Sequence, residues 1–306
     1  MSRYFGRKLA IFFLTILIAN LLTFVILNVL PGDPALLMLG TEGSPEAYAR
    51  LRRELKLDRP VLVRYCIWLA DFVRGEWGIS ARYSLPVKEL VGTALPFSLL
   101  LAVLAVGLSV VVAVPAGMAM VIWPSSAAGR MLSLASQVGM GLPQFWVGLL
   151  LIEIFAVRWH ILPAGGNSGW ASFVLPVFTL ALPRAAILSR MVRTGLNQAL
   201  QQDYIRTARA KGLSARAVYF KHGLRNGSLA VSTIAGLQFS QLFAGTIVVE
   251  QIFGLPGMGR LLLAGVLQRD VPLVQALVLL VVLMVLVFNL FFDLWLGFLD
   301  PRLRYE

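Results

Sequence analysis

The sequence has 306 residues, of which 58% are hydrophobic and 14% are charged, and its formal net charge is +12. Globular domains contain about 45–50% apolar residues, so a water-soluble fold of this length could not bury the excess, and we expect a membrane protein. The basic residues stand between apolar stretches and form no single stripe with interleaved aromatics, which argues against nucleic-acid binding and favours topology signals in membrane loops.

Six apolar stretches are long enough to cross a bilayer, which takes about 20 residues in a helix. They predict transmembrane helices at 9–30, 96–122, 131–157, 173–194, 227–249 and 273–298. The first is longer than the apolar region of a cleavable signal peptide, which is about 7–15 residues, so we expect it to be retained. The fourth is the weakest, because it contains Pro176 and Pro183, and proline removes a backbone hydrogen bond and bends a helix.

Lysine and arginine mark one side of these spans. They precede the first span, lie between the second and third, crowd the segment between the fourth and fifth, and follow the sixth. Because cytoplasmic loops carry the excess of Lys and Arg, we expect both termini to be cytoplasmic. The chain then comprises a first span at 1–30, an external segment at 31–95, a core of five spans at 96–298 and a tail at 299–306.

The external segment 31–95 is predicted to be small, folded and helical. Ser44 supplies a capping hydroxyl, Pro45 suits the first helical position, and an acidic residue follows. A second helix is expected from Val61 to Arg74, ending at Gly75.

One long polar segment, "QQDYIRTARAKGLSARAVYFKHGLRN" at 201–226, lies between the fourth and fifth spans. Asp203 is a natural N-cap for a helix from Tyr204 to Lys211, and Gly212 stands where a left-handed residue ends a helix. Ser214 can start a second helix. We therefore expect a basic helix–glycine–helix elbow outside the membrane, with three apolar residues available for contact with a partner: Ile205, Ala208 and Leu213.

Signatures of chemistry are absent from the sequence. It contains one cysteine, Cys66, and two histidines, and it lacks a phosphate-binding P-loop, an HExxH motif and a GxSxG motif. We therefore expect no catalytic residue, no metal site and no nucleotide site in this chain. Few carboxylates fall in or near the spans (Glu153, Glu250 and Asp293), which counts against an ion-coupled carrier, since such carriers need intramembrane ionisable groups.

The elbow resembles the cytoplasmic signature of permease subunits in ATP-binding cassette (ABC) importers. That signature reads Glu-Ala-Ala, three residues, Gly, nine residues, Ile, one residue, Leu-Pro. Ala208, Gly212 and Leu224 fit it, whereas Arg206 and Thr207 stand at the Glu and first Ala positions. Further segments resemble the variant form in dipeptide, oligopeptide, glutathione and nickel importers: "LPGDPA" at 30–35, "GEWGIS" at 75–80, "YIRTARAKG" and "KHGLRN" in the elbow, "IVVEQIFGLPGMGRLL" at 247–262, "RDVPLVQ" at 269–275 and "LDPRLRY" at 299–305.

The resemblance implies a type I ABC importer permease in a bacterial inner membrane, and within such systems the first of two different permeases. Two ATPase subunits, which hold the ATP and magnesium, would bind beneath the pair, and a binding protein would deliver the solute from outside. The elbow would be the coupling helix seated in an ATPase groove. Its coupling residues would be Asp203, Tyr204, Arg206, Thr207, Ala208, Lys211, Gly212, Leu213 and Leu224.

The sequence also predicts two further sites. Small and polar residues from Ser136 to Gly141 suggest a translocation path gated by Met140, Gln238 or Gln241, although small residues also let helices pack closely. Contact with the binding protein is expected from the external segment and a downstream turn, at Trp77, Gly78, Pro256 and Gly257.

Several functions remain open at this point. The leading prediction is a permease for a small peptide or peptide-like solute. A nickel or metal–chelator importer of the same family is the alternative within the class. An ion-coupled secondary transporter and a membrane enzyme are more distant alternatives.

Overall fold

A computed structural model describes residues 2–29, 44–54, 58–167, 169–224, 242 and 245–299. Within these residues the regular secondary structure is helical apart from one isolated bridge, between Ile79 and Pro86, so the all-α prediction is confirmed. The helices are α1 Ser2–Val29, α2 Pro45–Glu54, α3 Val61–Val73, α4 Val87–Ile122, α5 Ala127–Gly141, α6 Gln144–Leu151 with a π-helix Ile152–Arg158, α7 Ala171–Leu200, α8 Asp203–Ala210, α9 Ala215–Ala217 with a π-helix Val218–Leu224, α10 at 245–252, α11 Met258–Leu267 and α12 Val271–Leu299.

Four helices are long and apolar enough to cross a membrane. They are Gly6–Ile26 within α1, α4, α7, and Val271–Phe291 within α12, which correspond to the first, second, fourth and sixth predicted spans. The predicted fifth span, 227–249, lies largely outside the described residues. The described part of the chain therefore contains four spans, or five if the bent pair α5 and α6 is one.

The predicted span at 131–157 is not one straight helix. Two helices, Ala127–Gly141 and Gln144–Arg158, meet there at a bend of 110°. Pro143 is the cause, because proline donates no backbone hydrogen bond and keeps the residue before it out of the helical region. Leu142 accordingly takes an extended conformation, with φ −77° and ψ 125°.

The fourth predicted span is stronger than its sequence suggested. α7 runs unbroken for 30 residues through Pro176 and Pro183, and both prolines are buried. Of its most apolar window, 72% is buried inside the protein, against 33% for α4. Both prolines thus lie against other parts of the protein, the setting in which a membrane helix tolerates proline.

The two helices of the external segment, α2 and α3, begin and end near the predicted residues. α2 starts at Pro45, directly after Ser44, and α3 ends at Val73 with Gly75 in the left-handed region at φ +87°. α4 begins at Val87, well before the predicted residue 96, so the end of the segment is already helical.

The chain divides into two compact units. One comprises Leu99–Leu255 with the chain from Val287 onwards, and α7 forms its core. The other comprises Ser2–Ser98 with Pro256–Leu286. The core of this second unit is a cluster from α4, α11 and α12 that includes Val91, Met258 and Leu277.

A buried carboxylate holds the second unit together. Asp270 is 0% exposed and stands directly before α12, where its Oδ1 accepts a hydrogen bond from the Leu273 amide at 3.3 Å. Its Oδ2 accepts from the Ser80 hydroxyl and, at 3.1 Å, from the Arg82 amide. One side chain therefore caps α12 and fastens the external loop to it.

The residue before this carboxylate sets its position. Arg269 has φ +55°, a left-handed conformation uncommon for a residue with a side chain. This reversal ends α11, with the Arg269 amide donating to the Val266 carbonyl at 3.2 Å and the Asp270 amide to Gly265 at 2.9 Å. The chain thus turns from α11 into the cap of α12 within three residues, 268–270.

Replacing the carboxylate should destabilise the protein. Asp270→Ala removes an N-cap, at about 1 kcal/mol, and leaves buried donors unsatisfied, at about 1–3 kcal/mol each, so we expect a loss of about 2–4 kcal/mol. Thermal unfolding of the purified protein in nanodiscs measures it. Asp270→Asn, which keeps an acceptor oxygen, should fall between. Glu76→Ala removes an exposed carboxylate of the same unit and should change stability by less than about 0.5 kcal/mol. Equal stability of Asp270→Ala and Glu76→Ala would contradict a stabilising role for the hydrogen bonds of Asp270.

Candidate coupling elbow

The elbow follows α7 directly and comprises α8, a glycine turn, α9 and the π-helix Val218–Leu224. α7 ends at Leu200, and the Gln202 amide donates to the Ala199 carbonyl at 3.2 Å, which closes its last turn. The predicted order of helix, glycine and helix is confirmed.

The start of α8 differs from the prediction by one residue. Gln202 is the N-cap, with φ −77° and ψ 153°, and no side chain caps the helix. Asp203 is the first helical residue, and its carboxylate pairs with Arg206 at 3.4 Å while 94% exposed. The turn that closes α7 leaves Gln202 in the extended conformation that a cap requires. The negative charge of Asp203 still favours this end of the helix dipole.

Gly212 ends α8 as the sequence predicts. Its φ of +74° is left-handed, its amide donates to the Arg209 carbonyl at 3.0 Å, and the Leu213 amide donates to the Ala208 carbonyl at 3.3 Å. This pair of bonds is the Schellman motif, which satisfies carbonyls that the end of a helix leaves open. A side chain at this position would meet no atom within 4 Å, so the requirement for glycine comes from the backbone alone.

Ser214 starts the second helix, also as predicted. Its Oγ accepts a hydrogen bond from the Ala217 amide at 3.3 Å. After one turn the winding widens into the π-helix Val218–Leu224. Single turns of π-helix are rare and are frequently found at functional sites.

The prediction that Ile205 and Ala208 are available for contact is wrong. They are 0% and 5% exposed and pack with Val218 against Leu200, the last residue of α7. Their spacing of three residues places them on one face of α8, and this face turns inward. Ala208 therefore contributes to the elbow through packing within the chain.

Leu224 is also held inside the protein. It packs against a cluster of Met118, Val192 and Leu196, which belong to α4 and α7. The neighbouring Gly223 is buried, and a β-carbon there would lie 2.7 Å from Leu196 Cδ1. The π-helix thus approaches α7 closely at a glycine that the sequence analysis did not single out, although the close-packing role of small residues offered a signal.

The outward face of the elbow combines apolar and basic side chains. Tyr204, Leu213 and Phe220 are 39%, 41% and 52% exposed. Around them are the exposed side chains of four predicted coupling residues, Asp203, Arg206, Thr207 and Lys211. Three further exposed residues join them: Arg209, Arg216 and Lys221. We call this surface the docking face. Phe220 is not among the coupling residues that the sequence predicted.

The path residues are only partly described. Met140 is 39% exposed, and Gln238 and Gln241 lie outside the described residues. A cavity of about 360 Å³ lies between α4, α5 and α7 and includes Ser136 and Gly139 from the predicted cluster, but Met140 does not line it. A β-carbon on Gly139 would lie 2.9 Å from Ala186 Cβ, so close helix packing explains this glycine.

The residues predicted to contact a binding protein are placed in the second unit. The Trp77 ring stacks on Phe72 at 4.8 Å, and its Nε1 donates to the Phe72 carbonyl at 3.0 Å. The Gly78 carbonyl accepts from the Val87 amide at 3.0 Å. Pro256 is exposed, whereas Gly257 is buried as the N-cap of α11. Trp77 packs against the cluster that contains Met258, so the structure brings the two predicted regions together.

Two family models together match nearly the whole chain. The family model of binding-protein-dependent transport system inner membrane components matches residues 109–305, and the model of the N-terminal part of such membrane components matches residues 1–87. The glutathione transport system permease protein GsiC of Escherichia coli (strain K12) is 35% identical over 306 residues, 100% of both chains. The protein of that name from Salmonella typhimurium (strain LT2) is 36% identical over the same length.

Solved structures support the fold. The methionine ABC transporter MetNI in inward-facing conformations matches with a TM-score of 0.60 at 15% identity, covering 70% of this chain and 98% of that chain. An amino acid ABC transporter matches with a TM-score of 0.51 at 21% identity, covering 70% and 94%. The fold is that of type I ABC importer permeases, as expected.

The buried face of α8 should fix the elbow to α7. Ile205→Ala removes a fully buried side chain, at about 2–5 kcal/mol, and should let the elbow open. Trypsin cleaves after Arg and Lys, so cleavage at Arg206, Arg209 and Lys211 should rise by about 30-fold or more, since each 1.4 kcal/mol is tenfold. Leu213→Ala is the matched control, because that side chain is 41% exposed and should change cleavage little. Equal rates in both variants would show that the burial does not hold the elbow.

Proposed function

Because this chain belongs to the family of binding-protein-dependent transport system inner membrane components and is the permease subunit of an ABC importer, we propose that it passes a small peptide or peptide-like solute across a bacterial membrane. A permease of this kind works with a partner permease, ATPase subunits and a binding protein. In this proposal the chain pairs with a second, different permease, both of its termini lie in the cytoplasm, and the membrane is the bacterial inner membrane. The binding protein is periplasmic or a lipoprotein.

The observation that carries the proposed mechanism is the two-sided elbow. Its inner side packs on the last turn of α7 through Ile205 and Ala208, and its outer side is the docking face. A short, rigid element with exposed Tyr204, Leu213 and Phe220 suits a groove in a partner, and the surrounding cations suit an acidic rim. We place the ATPase subunits there. They hold the ATP and magnesium, and this chain contributes no catalytic residue.

The same packing converts docking into movement of the spans. Closure of the ATPase pair displaces the elbow, and Leu200 ties the elbow to α7. Gly223 and Leu224 tie its far end to α7 and α4 through Leu196 and Met118. The helices then rock as a body, which changes access from one side of the membrane to the other.

The binding protein would contact the second unit. The exposed apolar side chains of its external loop are Ile79, Tyr83 and Leu85, at 62%, 40% and 45% exposed. Trp77 packs on the core of this unit and Gly257 is the buried N-cap of α11, whereas Gly78 and Pro256 are exposed. The hydrogen bonds from Ser80 and Arg82 to Asp270 hold the loop against the start of α12.

The relatives support the proposed substrate class. The glutathione permeases named above match the whole chain at 35–36% identity, and glutathione is a peptide-like anion. A nickel or metal–chelator importer has no comparable support among these relatives. The substrate would be selected chiefly by the binding protein, so this chain need not contain a substrate-specific site.

Coupling should fail when the glycine turn is strained. Gly212→Val places a β-branched residue at φ +74°, at about 1–2 kcal/mol, and should leave the protein in the membrane while abolishing the stimulation of ATP hydrolysis by loaded binding protein. Gly169→Val is the matched control, since Gly169 has φ +98° and also faces open space, but lies away from the elbow. We expect it to retain stimulation. Normal stimulation in Gly212→Val, or equal loss in both variants, would refute the docking role.

Transport should depend on ATP and on the partner subunits. Affinity purification of the chain from its native membranes should recover a second permease, ATPase subunits and a binding protein. Reconstituted into vesicles, that complex should take up labelled glutathione or a dipeptide only with ATP, and an uncoupler of the proton gradient should have no effect. Uptake by the chain alone without nucleotide would overturn the proposal, and uptake of nickel with no competition by peptides would replace the substrate class.

A further inference from the structure

α3, the second helix of the external segment, has three distinct faces. Tyr65, Trp68 and Phe72 follow one another along its packing face. A second face, which we call the outer stripe, is exposed and wholly apolar: Leu62, Cys66, Ala70 and Val73. The spacing of four, four and three residues makes the stripe continuous along the helix. Arg64 and Asp71 lie about 150° around the helix from the stripe, at 3.6 residues per turn.

The packing face lies against α1, the first span. The Phe24 ring of α1 is 5.4 Å from that of Tyr65 and 6.1 Å from that of Trp68. The Tyr65 hydroxyl donates to the Leu17 carbonyl at 3.4 Å, and the Arg64 guanidinium lies 6.0 Å from the centre of the Phe24 ring. α3 is therefore fastened to the side of a membrane helix.

The depth of these contacts can be measured along α1. The apolar part of α1 runs from Gly6 to Ile26, so Leu17 is near its middle. At 1.5 Å per residue, Leu17 lies about 14 Å inside the end at Ile26. A side chain of α3 that reaches this carbonyl must enter the level of the hydrocarbon. A helix suspended in the aqueous phase could not make this bond.

The outer stripe is unsuited to water. Leu62 is 67% exposed and Val73 is 80% exposed, and no charged residue interrupts the stripe. Burying such side chains is worth about 25 cal/mol per Å² of apolar surface. α1, on which α3 packs, also presents apolar side chains outward, since only 11% of its apolar window is buried inside the protein and Phe13 is 65% exposed.

We propose that α3 is an interfacial membrane helix, with its outer stripe against lipid acyl chains and its edge of Arg64 and Asp71 at the headgroups. An amphipathic helix in this position sinks its apolar face about 5–10 Å into the bilayer. The Tyr65 side chain reaches below the end of the apolar part of α1, and Arg64 and Asp71 lie on the side of α3 away from the stripe, as this position requires. The sequence-based expectation that segment 31–95 lies wholly outside is thereby changed for α3.

The single cysteine of the chain allows a direct test, because Cys66 lies on the outer stripe. The complex is purified, the cysteines of the other subunits are replaced by serine, and a nitroxide is attached to Cys66 in lipid nanodiscs. Collisions with oxygen, which concentrates in lipid, and with a water-soluble nickel chelate are compared. Three variants in a Cys66→Ser background complete the set: Leu62→Cys on the stripe, Phe13→Cys as the lipid reference, and Arg74→Cys as the aqueous reference, whose native side chain is 72% exposed.

Labels at Cys66 and Leu62→Cys should resemble the label at Phe13→Cys, with an oxygen-to-nickel collision ratio several-fold above that at Arg74→Cys. A ratio equal to that at Arg74→Cys would place the stripe in water and overturn the proposal. Low collision with both reagents would show that a protein surface covers the stripe, which would also overturn it. A normal elution profile for each variant confirms that the labelled complexes are assembled. None of these outcomes depends on the coupling role of the elbow.

Discussion

The burial of Ile205 and Ala208 against Val218 and Leu200 is the contact on which a coupling role depends. A helix outside the membrane can dock on a partner with any sequence that fits, but it transmits movement only if its other side is fixed. α8 is short, with eight residues, and would be marginal alone in water. α8 packs onto α7, the most buried of the four candidate spans in the described residues, so in the proposed mechanism a force on the docking face would reach α7 through these contacts.

A second constraint is that the backbone polar groups left open at helix ends need hydrogen-bond partners. Two chain reversals in the described residues meet it with a local device. Gly212 closes α8 with a Schellman motif, and Asp270 caps α12 with a buried carboxylate. Pro143 stands at the bend between α5 and α6, where the helical run is interrupted. Such hydrogen bonds cost little conformational entropy when the donor and the acceptor lie within a few residues of each other.

The segment that follows the first span is part of the second unit. α3 packs on α1, its aromatic side chains continue through Phe72 to Trp77, and the loop that follows is held by Asp270. Side-chain contacts thus connect this segment to both α1 and the start of α12. A binding protein that docks on the loop would therefore engage membrane helices, and an interfacial α3 would hold that platform at the level of the lipid.

The sequence alone determined the features that depend on neighbouring residues. The apolar stretches that became α1, α4, α7 and α12, the left-handed turn at Gly212 and the start of α9 at Ser214 follow from periodicity and local hydrogen bonding. The motifs likewise gave the family, because they are short and contiguous.

The tertiary structure decided which faces are buried. Whether Ala208 faces a partner or α7, whether Pro183 weakens a span, and whether α3 stands in water or against α1 depend on residues distant in the chain. The bond from Ser80 to Asp270 crosses 190 positions, and no local pattern encodes it. Burial is a property of the assembled surfaces, whereas periodicity shows only that one face of a helix is apolar and not what covers it.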